Sequence, residues 1–411
     1  MLTRALTKSL VLTETFLPPS GIGIAFKRII FDFYIFMYFI PSKQTTKLSA
    51  RQTSPIKAIA TLLGILIYLT YFQQVSAKEG RSVPISDPIP VKAVIVTMFE
   101  IGQDEGDKPG EFQFWKERRN LDTEFSFPHS HHNLFYNPDS QILGMVTGIG
   151  TAKSTAAVMA LGLDERFDLS KAYWLIAGIA GIDPEDASIG SVAWSSYLVD
   201  GDLGYQIDSR EIPKDWTTGF FAFNSKRPFD SNKPESDGEL FIANPTLRDW
   251  AFNLTKDAKF SDNENLKSAR SVYTEHPNAQ KPPFVLRGGH IAAMTFWHGV
   301  ISNKWANELV HYWSDGKTDF VTSAMEDTGT YLAATYLDNI NKADKDRFLF
   351  LRGGSNFTMP PPGTTAVDYL LKENEGYSAM EDSLESIYLV GSIVIDELLE
   401  NWDKYEKQLP K

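Results

Sequence analysis

The stretch YWLIAGIAGIDPEDASIGSVAW, residues 173–194, decides how the chain is read. It opens on a continuous apolar run and reaches Gly178 and Gly181. It turns at Asp183-Pro184 and re-enters an extended run from Ser191 to Asp200. Short, unbroken runs of aliphatic and aromatic residues mark strands buried on both faces. The glycines, read as a loop closing the first run, admit three meanings: a cradle for an anion, a wall beside a sugar, or a tight turn in a buried sheet.

Comparable pieces lie on either side. VKAVIVTM (91–98), QILGMVTGIG (141–150), PFVLRGG (283–289), DFVTSAME (319–326) and RFLFLRGG (347–354) read as strands. Helices are expected from Thr151, with Thr151 as its N-cap, near 303–313, over 328–337 and over about 383–401. Strand–helix alternation with continuous apolar strands predicts an α/β fold with a mostly parallel sheet covered on both faces. Residues 201–282 are polar and Pro-rich and read as an irregular insertion carrying the helix PTLRDWAFNLTKDA. Ligands of such sheets sit beyond the carboxyl ends of the strands. That points to Gly148–Gly150, Gly178–Gly181, Gly288–His290, Met325-Glu326 and Gly353–Asn356.

The bulk composition removes several alternatives. The 411 residues are 43% hydrophobic and 22% charged, an ordinary globular balance. No cysteine is present, which excludes disulfides, thiolate metal sites and a cysteine nucleophile. Residues 1–78 hold nine basic and two acidic residues, leaving 31 basic against 50 acidic beyond them. A body carrying a net −19 repels nucleic acid. Lys57, the apolar run Ala58–Phe72 and the small residues of VSA ending at Ala77 read as a secretory signal or a single anchor. Residues 1–89 are therefore expected to be leader and linker, and 90–411 the working domain. The expected location is secreted or cell surface, with any membrane association made through residues 58–77.

Several side chains invite chemistry, and each has a plainer reading. Gly148 and Gly150 let an oxygen-rich ligand approach a helix N-terminus, or simply make a turn. Glu326 and Asp327 open a helix, where acids are favoured by the dipole. A carboxylate is also the acceptor a sugar diol needs. Asn356 can donate and accept side by side, as the N7 edge of a purine requires. It also begins the glycosylation sequon Asn356-Phe-Thr358, as Asn253 begins another. Phe296 and Trp297 can stack on a base or belong to the core. His129, His131 and His132 lack a carboxylate at useful spacing, so a polar loop is favoured over a metal site.

Taken in order, KAVIVTMFE, GMVTGIGTAKSTAAVMALGL, YWLIAGIAGIDPEDASIGSVAWSSYLVDGDLGY, SAMEDTGTYLAA and LRGGSNFT resemble the nucleoside phosphorylase/nucleosidase superfamily. MFEIGQDEGDKPGEFQFW and TFWHG narrow the resemblance to purine nucleoside permeases. The resemblance implies a single phosphorylase-like α/β domain with a twisted, mostly parallel or mixed central sheet flanked by helices, no cofactor and no metal, and purine nucleosides as ligands. It implies ribose binding by Met325 and Glu326, base binding by Phe296, Trp297 and Asn356, and catalysis by Asn356. Backbone walls would come from Gly148, Gly150, Gly178 and Gly181. Glu100 is the expected water-positioning acid. Many relatives pair subunits, which makes a homo-oligomer an expectation too.

Two departures shape the expected chemistry. Where many phosphorylases place Arg and Ser against phosphate, this chain has Ile176 and Ile179. A phosphate dianion without such donors is poorly offset on desolvation. N-glycosidic cleavage by water is thus expected over phosphorolysis, with purine nucleoside uptake by an extracellular or cell-surface binding protein as the alternative. A channel would need several spanning segments, and no second stretch of the body supplies one.

Overall fold

The structure is a computed structural model that describes residues 87–373 and 379–411. The expected leader, with residues 58–77, lies outside the described residues.

Ten strands form the main sheet: β1 (Ala93–Thr97), β2 (Thr123–Phe125), β3 (Leu134–Asn137), β4 (Ile142–Val146), β5 (Tyr173–Ile182), β6 (Val192–Asp200), β7 (Leu240–Ile242), β8 (Val285–Ala292), β9 (Phe320–Ala324) and β10 (Phe348–Phe357). The hydrogen-bonded path runs β7-β6-β8-β9-β5-β1-β4-β3-β2, with β10 joining β5 to β6. The sheet is mixed. β1 pairs parallel with β4 and β5, whereas β9 pairs antiparallel with β5, and β10 with β6. Mixed pairing follows from β5 serving two neighbours in turn on one side. Tyr173–Ile176 pair with β1, and Gly181–Ile182 pair with β9. The other side of β5 pairs with β10 throughout. The path β5-β10-β6-β8-β9 therefore returns to β5, and these five strands close a ring at one end of the sheet.

This corrects the reading of the opening stretch. Gly178–Gly181 is no loop; it is the middle of a ten-residue strand, and the turn comes only at Asp183. The glycines make room. A Cβ on Gly178 would collide with the Met98 side chain and come within 2.6 Å of both Arg352 Nη1 and Glu111 Oε1. Likewise β10 runs past Gly354 to Phe357, so Asn356 stands within a strand.

Helices cover both faces: α1 (Gln113–Arg118), α2 (Thr151–Gly162), α3 (Pro245–Thr255), α4 (Glu264–Ser271), α5 (Val300–Ser314), α6 (Asp327–Asn339), α7 (Ala366–Glu373) and α8 (Met380–Glu400). On one face α2 and α6 bury Val158, Leu161, Ala334 and Leu337 against Val94, Val96, Trp174 and Phe350. Trp174 stacks on Phe348 at 5.0 Å and 10°. On the other face α8 sets Ile387, Val390 and Val394 against Leu175, Leu349 and Leu351. Each fully buried aliphatic chain contributes about 1.5–3 kcal/mol. These two layers fix the strands whose ends build the site. Thr151 does not cap α2 as expected. Gly150, at φ +102°, is the N-cap, and Thr151 Oγ1 donates to Met325 O at 2.8 Å, tying α2 to the β9–α6 junction. Residues 201–282 carry α3, α4 and β7, which adds antiparallel to β6. Among the described residues no helix is long and apolar enough to cross a membrane.

Candidate functional site

A cavity of about 210 Å³ opens where β5, β9 and β10 leave the ring. Met325, Glu326, Phe296, Trp297, Asn356 and Gly181 all line it. Three separate strand ends and the segment after β8 thus bring the expected sugar and base groups to one place.

Glu326 sits at the start of α6 and is nearly fully buried. Its Oε1 accepts the Gly150 N–H at 2.9 Å, and its Oε2 accepts from Met325 N at 3.2 Å and Arg352 Nη2 at 3.0 Å. A carboxylate offers about four acceptor positions. One remains open on Oε1, and the long Met325 bond is the easiest to exchange. Gly150 must be glycine, since its φ disfavours any side chain and a Cβ would meet Met294 Sδ at 2.8 Å.

Asn356 is aimed by a bulge. The pairing of β10 with β5 slips between Gly354 and Asn356, which turns the side chain at the strand end. Its Nδ2 donates to Phe357 O at 3.2 Å, and its Oδ1 accepts from Ser355 Oγ at 3.3 Å. One amide hydrogen and one lone pair stay available to a ligand. Only 4% of the residue is exposed, so its sequon is unusable, whereas Asn253 is exposed on α3. Phe296 is 43% exposed at the rim. Trp297 lines the cavity with one surface and packs edge-on to Trp305 at 5.7 Å with another, so it serves wall and core together.

Other expected residues stand back from the cavity. Gly148, Gly150 and Gly178 shape its supports without lining it. Glu100 does not line it either. Its carboxylate accepts N–H bonds from Ile101 (2.7 Å), Phe112 (2.8 Å), Gln113 (2.6 Å) and Gly110. Glu100 therefore pins the segment leading into α1, and burial raises its pKa despite those four donors. It is half-buried, and its carboxylate is engaged by the backbone. Among the described residues no group of three His, Asp or Glu could hold a metal; His132 pairs with Asp104 and His129 packs edge-on to Phe127.

Glu111 is a second acid at the cavity, beside Glu326. It lines the space, is fully buried, and accepts N–H bonds from Met98 (2.8 Å) and Ile179 (2.7 Å). Burial pushes its pKa up to about 8; the Arg352 charge opposes this and the Glu326 charge adds to it. Arg352, 1% exposed, is the only cationic side chain among the described residues that line the cavity. Its Nε reaches Asp327 Oδ1 at 3.3 Å, its Nη2 bonds Asp327 Oδ2 and Glu326, and its Nη1 donates to Ile179 O at 3.2 Å. Burial alone would raise the Asp327 pKa, but Arg352 and His290 outweigh it and hold the carboxyl far below the usual range. The sequence held a signal for this cluster. An arginine inside the apolar run FLFLRGG must find carboxylates, because charged groups are buried only when paired.

The family model described as purine nucleoside permease (NUP) matches residues 90–410. The chain is 28% identical over 338 residues to a purine nucleoside permease of Candida albicans, covering 80% of each chain. It is also 28% identical over 275 residues to a probable purine nucleoside permease of Schizosaccharomyces pombe, covering 65% of this chain and 78% of that one. Among solved structures, a futalosine hydrolase mutant of Helicobacter pylori aligns with TM-score 0.44 and 16% identity, over 75% of this chain and 100% of that one. A 5'-methylthioadenosine/S-adenosylhomocysteine nucleosidase of Neisseria meningitidis aligns with TM-score 0.41 and 14% identity, over 75% and 99%.

Proposed function

The chain belongs to the purine nucleoside permease family, and from that premise we propose that its cavity binds a purine nucleoside and cleaves the N-glycosidic bond with water. The observation that carries this reading is the makeup of the cavity wall. Glu111, Glu326 and Asn356 converge there with Phe296, and Arg352, the one cation among the described residues that line it, is already engaged by two carboxylates. A phosphate dianion would enter a space bearing acid groups and no uncommitted cation, which disfavours phosphorolysis.

Each group has a task that its surroundings allow. Glu326 accepts from the sugar hydroxyls at its open Oε1 position, and its negative charge offsets the oxocarbenium character that grows on the ribose. Phe296 covers the base at the rim. As the C1′–N9 bond breaks, its electron pair leaves with the purine, where the free amide hydrogen of Asn356 meets the developing charge. Water attacks C1′ and passes its proton to the Glu111 carboxylate. That carboxyl is pushed up to about 8, so the base form grows as pH rises toward that value.

Incubating the full chain with inosine or adenosine, with and without phosphate, tests the reading. Free base released without phosphate is the expected result. Release only with phosphate would replace hydrolysis by phosphorolysis. Saturable binding with no turnover would favour the second reading, nucleoside capture for uptake. The relatives' printed name is what favours that alternative.

A further inference from the structure

Two fully buried polar residues beside the cavity have no task in the chemistry above: Asp327 and His290. Neither lines the cavity. We infer that they form a positioning pair that holds the Arg352 guanidinium by its fork, leaving Glu326 open to the sugar and Glu111 free to exchange its proton. This inference rests on the hydrolytic reading of the same cavity.

The geometry makes the case. Asp327 takes the Nε/Nη2 edge of Arg352 with both its oxygens, while Glu326 receives a single N–H from Nη2 at 3.0 Å. Guanidinium and carboxylate prefer fork-to-fork pairing. Without Asp327, Glu326 is the adjacent carboxylate able to take that edge. Both its oxygens would then be engaged, including the open position that the sugar needs. His290 sits against Asp327 from β8, the strand beside β9. The pairing of β8 with β9 slips between Gly289 and His290, which sets His290 beside Thr322. Its Nδ1 lies 2.9 Å from Thr322 Oγ1, and its Nε2 lies 3.2 Å from Asp327 Oδ2.

The same arrangement sets the charge balance. Asp327 is faced by Arg352 from β10 and His290 from β8, with Glu326 preceding it in the chain; Glu111 is faced by Arg352 and Glu326. One guanidinium thus sits among three buried carboxylates, and a change at one of them alters the field at the others. Neutralising Asp327 frees the field of Arg352 for Glu111 and draws its proton affinity down. Removing His290 strengthens the negative field of Asp327 and moves Glu111 the other way. A residue that merely filled space would do neither.

The test titrates the Glu111 carboxyl in the full chain by pH-difference infrared spectroscopy. Its band is assigned by loss in Glu111→Gln. The pH dependence of inosine cleavage is measured alongside. Asp327→Asn is expected to lower the midpoint by about one unit or more. It should also raise KM about tenfold as Glu326 closes on Arg352. His290→Leu is expected to raise the midpoint. If Asp327→Asn does not fold, the direction found with His290→Leu decides alone. Unmoved midpoints in the folded variants would overturn the pair. A wild-type chain inactive on inosine, with midpoints that still move in these opposite senses, would support the pair and overturn the hydrolytic reading instead.

Discussion

In the segment between β1 and α1, carboxylates meet backbone N–H groups; at the β9–α6 junction they meet a guanidinium. Glu100, half-buried, accepts four N–H bonds, and Glu111, fully buried, accepts two and rises to about 8. Asp327 is equally deep, yet its pKa falls far below the usual carboxylate range, because Arg352 and His290 outweigh the effect of burial. Depth therefore does not fix the charge of a buried acid here. The number and charge of its donors do. That difference sets one raised and one depressed carboxyl on either side of the same guanidinium, Arg352.

The largest expected effect comes from removing the cation that separates the two regions. Arg352→Met leaves Glu326 and Asp327 buried without their partner, and breaking a buried pair costs about 3–5 kcal/mol. Denaturant unfolding measures it. A loss under about 1 kcal/mol would mean that the junction acids are held by something else. Next comes Glu326→Ala, expected to weaken nucleoside binding or transition-state stabilisation by about 2–4 kcal/mol. Calorimetric titration with inosine reads it, and wild-type affinity in that variant would remove the sugar role from the junction.

Much of the fold was legible because its strands are continuous apolar runs, and a pattern of that kind has few other readings. The end of β5 was not. Gly178 reads as a breaker, whereas its function here is to leave space for Met98, Arg352 and Glu111, which come from three other places in the chain. The order of motifs led to Met325, Glu326, Phe296 and Asn356, which do share one cavity. It could not separate Glu100 from Glu111. Both lie in the acid-rich run FEIGQDEGDKPGEFQFW, and spacing carries no information on which carboxylate turns inward. The flanking residues carry some. Glu111 adjoins Phe112, Phe114 and Trp115, all buried, while Glu100 opens the glycine- and acid-rich stretch on the solvent side.

A pH titration sharpens the contrast between Glu111 and Asp327. Glu111 has a folded pKa near 8, above its ordinary 4.5, so between those values the folded state holds a proton that the unfolded state has lost. Stability from this group is full below pH 4.5 and falls as pH rises through 8, by an amount on the order of 5 kcal/mol. Asp327 behaves oppositely. Its folded pKa is depressed, so its contribution is present above its ordinary value of 3.8 and is lost as pH falls below it. Glu111→Gln should abolish the decline on the alkaline side while leaving the acid side intact. Melting temperatures across pH 3–9 check both limbs, and an unchanged alkaline limb would mean that Glu111 is ionised in the folded protein.

The smallest expected effect distinguishes the two acids of the first segment. Glu100→Gln keeps one carbonyl acceptor but removes the charge and one oxygen from a site receiving four N–H bonds. Hydrogen bonds to charged acceptors are worth more than neutral ones, so a loss of about 1–2 kcal/mol in stability is expected. Because Glu100 lies behind the cavity wall, kcat and KM for inosine should stay within about twofold of wild type. Glu111→Gln should do the reverse, lowering kcat by about 100-fold or more with KM little changed. If Glu100→Gln instead abolished turnover in a protein that melts normally, water would be handled by the backbone-held acid, and the assignment of the buried acid to the chemistry would fail.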